Sequence, residues 1–338
     1  MHSLKKSYKY ILSCFIAVLV ATMTPLDYAT ATENPTFDKC IQESIERSPP
    51  DTTIKQLKET CELQSRKNTG LISKRIYAEK RTLYEPYVIT PHKLNYILPV
   101  ITTNNINKDA YAEVGNWASN LEDVEAKFQL SIKLPLNYQS MFIQGDELFF
   151  GFTIQSWWQV YSNNISKPFR ETNYQPELFY MAPLNWHPAG GNTGFSLGIE
   201  HQSNGRSSVL SRSWNRIYFN LLYEKNDFAL SIKPWVRIPE DEKNNNLSDD
   251  GDDNPDISDY MGHFELGLLY RWRDYEFALK GRENFETHNG AYEFNLTFPL
   301  WGNLRGYAQY TEGYGESLID YNHSQKRFGL GIALTNIL

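Results

Sequence analysis

From Leu94 onward the chain alternates. Leu94, Tyr96, Leu98 and Val100 take every second position among polar or small neighbours. Phe128, Leu130, Ile132, Leu134 and Leu136 do the same, facing away from Gln129, Ser131 and Lys133. The pattern returns in Phe228, Leu230 and Ile232, in Phe264, Leu266, Leu268 and Tyr270, and in Tyr292, Phe294, Leu296 and Phe298. Successive strand side chains point to opposite faces, so a period of two predicts strands with one apolar face. After residue 31 no apolar run reaches the roughly eighteen residues of a membrane-spanning helix.

Twelve strands are predicted, near 93–103, 123–135, 147–161, 172–183, 193–203, 212–224, 227–238, 257–271, 273–285, 289–299, 302–313 and 326–337. A soluble β-sandwich would alternate in the same way, so the connections have to decide. The joins after the sixth, eighth and tenth strands are short, at Lys225-Asn226, Arg273-Asp274 and Trp301-Gly302-Asn303. Those after the first, third, seventh and eleventh are longer and polar. An even number of strands, with short turns at one end and long loops at the other, is the plan of an all-β transmembrane antiparallel barrel. Phe328, Leu330, Ile332 and Leu334 carry the alternation into a last strand, although the chain ends in Asn336-Ile337-Leu338 rather than on an aromatic residue.

The N-terminal third reads differently. Lys5, Lys6 and Lys9 precede an apolar run from Ile11 to Val20, and Ala29-Thr30-Ala31 supplies a small-residue cleavage site. Residues 1–31 are therefore expected to be a secretory signal peptide. Leu12-Ser13-Cys14 lies too early in the apolar run to direct lipidation. Residues 32–90 are charged and polar and form a short periplasmic extension, and 91–338 form the barrel. Removing the signal leaves Cys40 and Cys61 in one local segment of an exported chain, so a disulfide between them is expected. Pro49-Pro50 lies between them, flanked by helical spacing.

Composition narrows the class further. Aromatic residues make up 14%, with 22 Tyr and 8 Trp, which suits a barrel with aromatic girdles and disfavours a helical membrane protein. The net charge of −7 argues against a nucleic-acid partner. Trp157-Trp158 reads as part of an interfacial aromatic belt. The run Asp249-Asp250-Gly251-Asp252-Asp253 lacks the terminal Glu of an EF-hand loop and reads as a solvated external loop.

Chemistry concentrates between His201 and Asn215. Phe195, Leu197 and Ile199 form an apolar row that continues as His201 and Ser203. Asn215 opens a second row, continued by Ile217, Phe219, Leu221 and Tyr223. A hairpin centred near Ser208 would set Asn215 opposite His201, roughly 5 Å away, with Ser203 about 7 Å along the same face. A hydroxyl, an imidazole and a carboxamide then converge as nucleophile, base and orienter. For an isolated H-x-S the plainer reading is two strand-end residues bonding a polar loop. The shared apolar face and the partnered Asn215 favour chemistry. With both termini periplasmic the fifth strand runs outward, so the site faces the outer leaflet.

The residues also carry a resemblance. H-x-S-N-G-R followed by S-R-S-W-N is similar to the signature of the bacterial outer-membrane phospholipase A family. The likeness extends to Ser156–Gln159, Pro168–Tyr174, Lys233–Trp235, Asp252–Ile257 and Gly313–Asn322, and covers roughly residues 90–338. It implies a twelve-stranded barrel and a calcium-dependent serine ester hydrolase of A1/A2 type, acting on phospholipids and lysophospholipids. The implied roles are Ser203 as nucleophile, His201 as base and Asn215 as orienter. The resemblance further implies Gly205 N–H in the oxyanion hole. Calcium would be held by the Arg206 carbonyl, by Ser211 and by Ser166 of the partner subunit, which makes the working enzyme a homodimer. A secondary metal site would use Asp253, but the family's companion acid is replaced here by Ser208. A lipid A deacylase and a non-enzymatic pore or structural barrel are the competing readings.

Overall fold

The computed structural model describes residues 70–338 apart from 81, 84, 86, 138, 144, 244–250, 303 and 338, together with 41, 42, 45, 53, 54, 57, 58 and 61. The expected signal peptide lies outside the described residues, as do Cys40 and most of the extension before residue 70. Cys61 is buried and disulfide-bonded.

Twelve antiparallel strands close on themselves. They are β1 (Tyr96–Thr103), β2 (Val124–Pro135), β3 (Glu147–Trp158), β4 (Phe169–Leu184), β5 (Asn192–Ser203) and β6 (Ser213–Lys225). The circuit continues with β7 (Phe228–Ile238), β8 (Phe264–Trp272), β9 (Tyr275–Glu283), β10 (Gly290–Trp301), β11 (Leu304–Tyr314) and β12 (Ser324–Ala333). Each strand pairs with its chain neighbours, and β12 pairs with β1, Phe328 opposite Thr102 and Ala333 opposite Tyr96. Among the described residues the barrel sheet has no open edge, as a lipid environment requires. The predicted eighth strand begins late: Ile257–Met261 form a short helix, and the ladder starts at Phe264.

The arrangement of faces separates this barrel from a soluble sandwich. On β2 the buried side chains are Glu125, Lys127, Gln129, Ser131 and Lys133, while Leu130 and Leu134 are exposed. Polar groups lie inside and apolar groups outside, the inverse of a water-soluble core. The lumen holds its charges in pairs. Glu125 meets Arg170 at 2.5 Å and Arg327 at 2.5 Å, Arg170 reaches Asp320 at 3.0 Å, and Lys127 meets Glu316 at 2.7 Å. A polar cavity of about 210 Å3 remains in the lumen, with Lys127, Arg216, Lys233, Lys280 and Glu293 among its lining residues.

Short turns gather at one end. Lys225 pairs with Phe228 and Trp272 with Tyr275, so each hairpin turns on two residues. Asn226, Arg273 and Gly302 take φ of 52°, 56° and 57°, the left-handed geometry that such tight turns use. A helix, α1 (Leu71–Lys80), lies at this end. Glu224 accepts hydrogen bonds from Ile72 N–H at 2.6 Å and Ser73 N–H at 3.0 Å, a carboxylate at the positive helix terminus. Lys80 pairs with Glu147 and Glu79 with Lys133, and Leu71 packs with Ala229, Leu269 and Ala278. Helix α1 falls in the same compact unit as the barrel. At the opposite end the long loops pack together through Ile106, Tyr111, Leu121 and Ile319.

The two tryptophans of the expected aromatic belt divide between the faces. Trp158 is part-exposed and stacks on Phe169 at 5.2 Å. Trp157 is buried in the lumen, with Lys127 over its ring and its Nε1–H donating to Glu316 at 3.1 Å. Adjacent residues of a regular, unbulged strand segment point to opposite faces.

Candidate active site

β5 and β6 set the site. Their register pairs His201 with Asn215, Gln202 with Trp214 and Ser203 with Ser213, so Asn215 stands opposite His201. The row below is apolar and outward: Leu197 is 50% exposed, Ile199 48% and Ile217 48%. His201, Ser203 and Asn215 are half-buried on that same outer wall, at the end of β5 that leads into the 204–212 loop. None of the three lines the lumenal cavity.

His201 Nδ1 lies 2.8 Å from Asn215 Oδ1. An amide oxygen only accepts, so Nδ1 carries the proton and Nε2 keeps the lone pair. Ser203 is two residues along the same face, and its hydroxyl makes no hydrogen bond among the described residues. Such bonds often tighten only once substrate is bound. Asn215 Nδ2 donates in turn to Glu240 Oε1 at 2.9 Å. Burial and the neighbouring Asp252 raise the Glu240 carboxyl above its ordinary value, against the lowering effect of the Asn215 bond and Arg237.

The loop after Ser203 is pinned by Asn204, which is buried. Its Nδ2 donates to the Leu210 carbonyl at 2.7 Å, and its Oδ1 accepts from Arg212 N–H at 3.0 Å. Gly205 adopts φ 62°, where a side chain is disfavoured, and a Cβ there would come within 3.2 Å of Tyr174. Its N–H makes no hydrogen bond among the described residues. Arg206 sends its guanidinium back to the Phe169 and Arg170 carbonyls at 3.0 and 2.9 Å. A bulge at Arg170 on β4, opposite Trp157 and Trp158, turns consecutive Arg170 and Glu171 both inward beneath this loop.

The expected calcium ligands can be tested by their chemistry. Ser211 donates its hydroxyl proton to Asp253 at 2.6 Å, which leaves the oxygen lone pairs available, an arrangement suited to a cation ligand held by an outer carboxylate. The Arg206 carbonyl accepts no hydrogen bond among the described residues. Both are oxygen donors of the kind calcium takes. Ser166 is exposed in the β3–β4 loop and makes no bond to either within one chain. Asp253, the acid considered for a secondary metal site, already pairs with Lys243. Asp252 pairs with Arg237 at 2.6 Å, so the described part of the acidic run is neutralised by the chain's own cations. Asp249 and Asp250 lie outside the described residues. Among the described residues no group of three His, Cys, Asp or Glu could hold a metal.

Reading the sequence missed Asn204, Glu171 and Glu240. Asn204 sits inside the H-x-S-N-G stretch and could have been found there. The other two come from separate strands or loops, and no spacing rule points to them.

Known proteins share this barrel fold. The family model described as phospholipase A1 matches residues 72–334. A phospholipase A1 from Escherichia coli (strain K12) is 38% identical over 253 residues, 75% of this chain and 83% of that protein. One from Klebsiella pneumoniae is 37% identical over 255 residues, 75% of this chain and 84% of that protein. The solved outer membrane phospholipase A from Escherichia coli superposes with a TM-score of 0.71 at 37% identity, covering 78% of this chain and 98% of that one. A Salmonella typhi outer membrane phospholipase, a dimer with bound calcium, gives a TM-score of 0.70 at 38% identity over 78% and 98% of the two chains.

Proposed function

Since the chain belongs to the phospholipase A1 family and is a bacterial outer-membrane barrel, we propose that it is a calcium-dependent serine hydrolase of membrane phospholipids, working through His201, Ser203 and Asn215. The observation that carries this reading is the 2.8 Å bond from His201 Nδ1 to Asn215 Oδ1 on the lipid-facing wall, with Ser203 beside it. That bond leaves Nε2 as the base. His201 Nε2 takes the Ser203 proton as Oγ attacks the acyl carbonyl, then returns it to the departing glycerol oxygen. Water activated by the same nitrogen releases the fatty acid from the acyl-enzyme. Gly205 N–H, which follows Ser203 in a left-handed turn, would donate to the developing oxyanion.

An amide orienter suits this wall. An ionised Asp facing lipid would carry a depth-dependent cost, below the roughly 2–4 kcal/mol of an Arg or Lys at mid-membrane and smaller still towards the interface. The neutral Asn215 avoids that cost but gives the imidazolium less electrostatic support. Calcium, held by the Arg206 carbonyl and Ser211 of one subunit and by Ser166 of the partner subunit, would supply positive charge near the oxyanion. The wall is flat, whereas ligand sites are clefts, so a seam between two barrels would provide the groove for an acyl chain. A homodimer follows from both arguments. The phospholipase dimer with bound calcium from Salmonella typhi supports the same reading. A pore is disfavoured because the lumen is crossed by ion pairs.

Ser203→Ala tests the assignment. It should abolish fatty-acid release from phospholipid micelles while heat-modifiable gel mobility stays that of a folded barrel. Substantial release by folded Ser203→Ala would remove Ser203 as nucleophile. Release from lipopolysaccharide but not from phospholipid would redirect the reading to a lipid A deacylase.

A further inference from the structure

A triad built on an amide has a weakness that one built on a carboxylate lacks. The two carboxylate oxygens are equivalent, whereas an Asn side chain can turn over and exchange its oxygen for its NH2. Turned the wrong way, Asn215 would present Nδ2–H to His201. Nδ1 would then have to accept, the proton would move to Nε2, and His201 could not act as a base towards Ser203. Something must fix the amide.

The structure assigns that task to Glu240, as a positioning residue acting through Asn215. Glu240 follows the end of β7, two residues past Ile238, and Ile238 is the cross-strand partner of Asn215. Pro239 ends the ladder between them. The half-buried carboxylate accepts from Asn215 Nδ2 at 2.9 Å and makes no ion pair among the described residues. The nearby cations are engaged elsewhere, Arg237 with Asp252 and Lys243 with Asp253. An ionised carboxylate only accepts. Reversing Asn215 would therefore set its oxygen against a carboxylate oxygen and lose both hydrogen bonds together. Glu240 holds the one orientation in which Oδ1 faces His201, and so keeps the reactive tautomer. It also places a negative charge behind the amide, returning some of the support that a carboxylate orienter would have given. This inference rests on the triad reading above.

The test is a double-mutant cycle on the full-length protein, measured as kcat and KM on phospholipid micelles, with gel mobility reporting folding. Glu240→Ala should lower kcat about 2- to 12-fold, the size of one hydrogen bond, and leave KM unchanged. Glu240→Gln, whose amide oxygen can still accept from Asn215, should restore most of the loss. In an Asn215→Ala background Glu240→Ala should have no further effect, because the residue through which it acts is gone. Three results overturn the assignment: full activity in Glu240→Ala, a loss carried by KM, or an equal further loss in the Asn215→Ala background. Ser203→Ala run alongside separates the two levels. If it is inactive while Glu240→Ala is fully active, the positioning role alone fails. If it is active, the triad fails, and the role of Glu240 with it.

Discussion

Asn215→Ala gives the most quantitative test of how the site works. The change deletes the oxygen that accepts from His201 Nδ1 at 2.8 Å and leaves the rest of the β5–β6 ladder in place. With a neutral imidazole, such a bond contributes about 0.5–1.5 kcal/mol. Once His201 has taken the Ser203 proton the donor is cationic, and the same bond rises to about 1.5–3 kcal/mol. The ground state already holds the neutral form of the bond, so the variant loses only the difference from the barrier, about 1–1.5 kcal/mol, and kcat falls about 5- to 12-fold. Ser203 and His201 Nε2 remain, so activity stays measurable. His201→Ala, by contrast, removes the base itself and should leave almost nothing. The assay is fatty-acid release from phospholipid micelles for the wild type, Asn215→Ala and His201→Ala, each checked for folding by heat-modifiable mobility. Two outcomes refute the reasoning. Wild-type turnover in Asn215→Ala would make the 2.8 Å bond irrelevant to catalysis, and a loss as complete as that of His201→Ala would mean that Asn215 does more than orient.

Three further expectations follow from other parts of the molecule. Ser211→Ala should raise the calcium concentration needed for half-maximal activity and for cross-linking of the dimer, and full activity of a monomeric sample in excess chelator would sink the calcium-bound dimer. Glu125→Ala should destabilise the barrel by about 3–5 kcal/mol, read as a lower urea midpoint in micelles, because it strips Arg327 of its ion pair in the lumen and leaves Arg170 with Asp320 alone; an unchanged midpoint would contradict it. Burial would raise the Asp146 carboxyl, but N–H groups of Ile143, Phe142 and Met141 and the Tyr180 hydroxyl outweigh it and hold the pKa down to about 2. The stabilisation this provides is complete above the usual carboxylate range and is lost as pH falls towards 2. Asp146→Asn should therefore lower the melting temperature at pH 7 and make no difference near pH 2, and a difference that persists in acid would refute the linkage.

The barrel was legible because lipid enforces a period of two over whole strands. Leu130 and Leu134 had to face away from Gln129, Ser131 and Lys133, and they do. The face exposed to lipid was also readable, since Leu197 and Ile199 lead straight into His201. Register was legible for a different reason: the 204–212 loop is short, so opposing His201 to Asn215 required only a hairpin. Trp157 was misplaced because an adjacent aromatic pair was read as a unit, where the pleat separates it and a lumenal Glu316 receives its N–H. The contacts that hold helix α1 to the barrel were not legible for a similar reason. Helix α1 is held by Glu224, Lys133 and Glu147, each distant in sequence, and a polar helix with distant partners looks like an extension. Glu240 was invisible for the same cause, since its meaning depends on the pairing of Asn215 with Ile238.

The inverted arrangement of faces separates what holds this protein together from what it does. Charges that would be costly in lipid are buried in the lumen, where Glu125 satisfies two arginines and Lys127 is matched by Glu316. Removing Glu125, Lys127 or Glu316 takes an ion-pair partner from a buried charge, so these positions govern stability. On the outer wall a side chain touches only its cross-strand neighbours and lipid, and removing Ser203 or Asn215 costs the barrel little packing. Substrate also arrives on that wall, already oriented with its esters near the interface. On the proposed function, the end of β5 is thus a place where a polar constellation would meet ester groups without a tunnel, and where its side chains can be changed without disturbing the lumen. The inner and outer faces of one strand carry separate constraints. Glu200 on β5 pairs inward with Arg216, while His201, the next residue, bonds outward to Asn215.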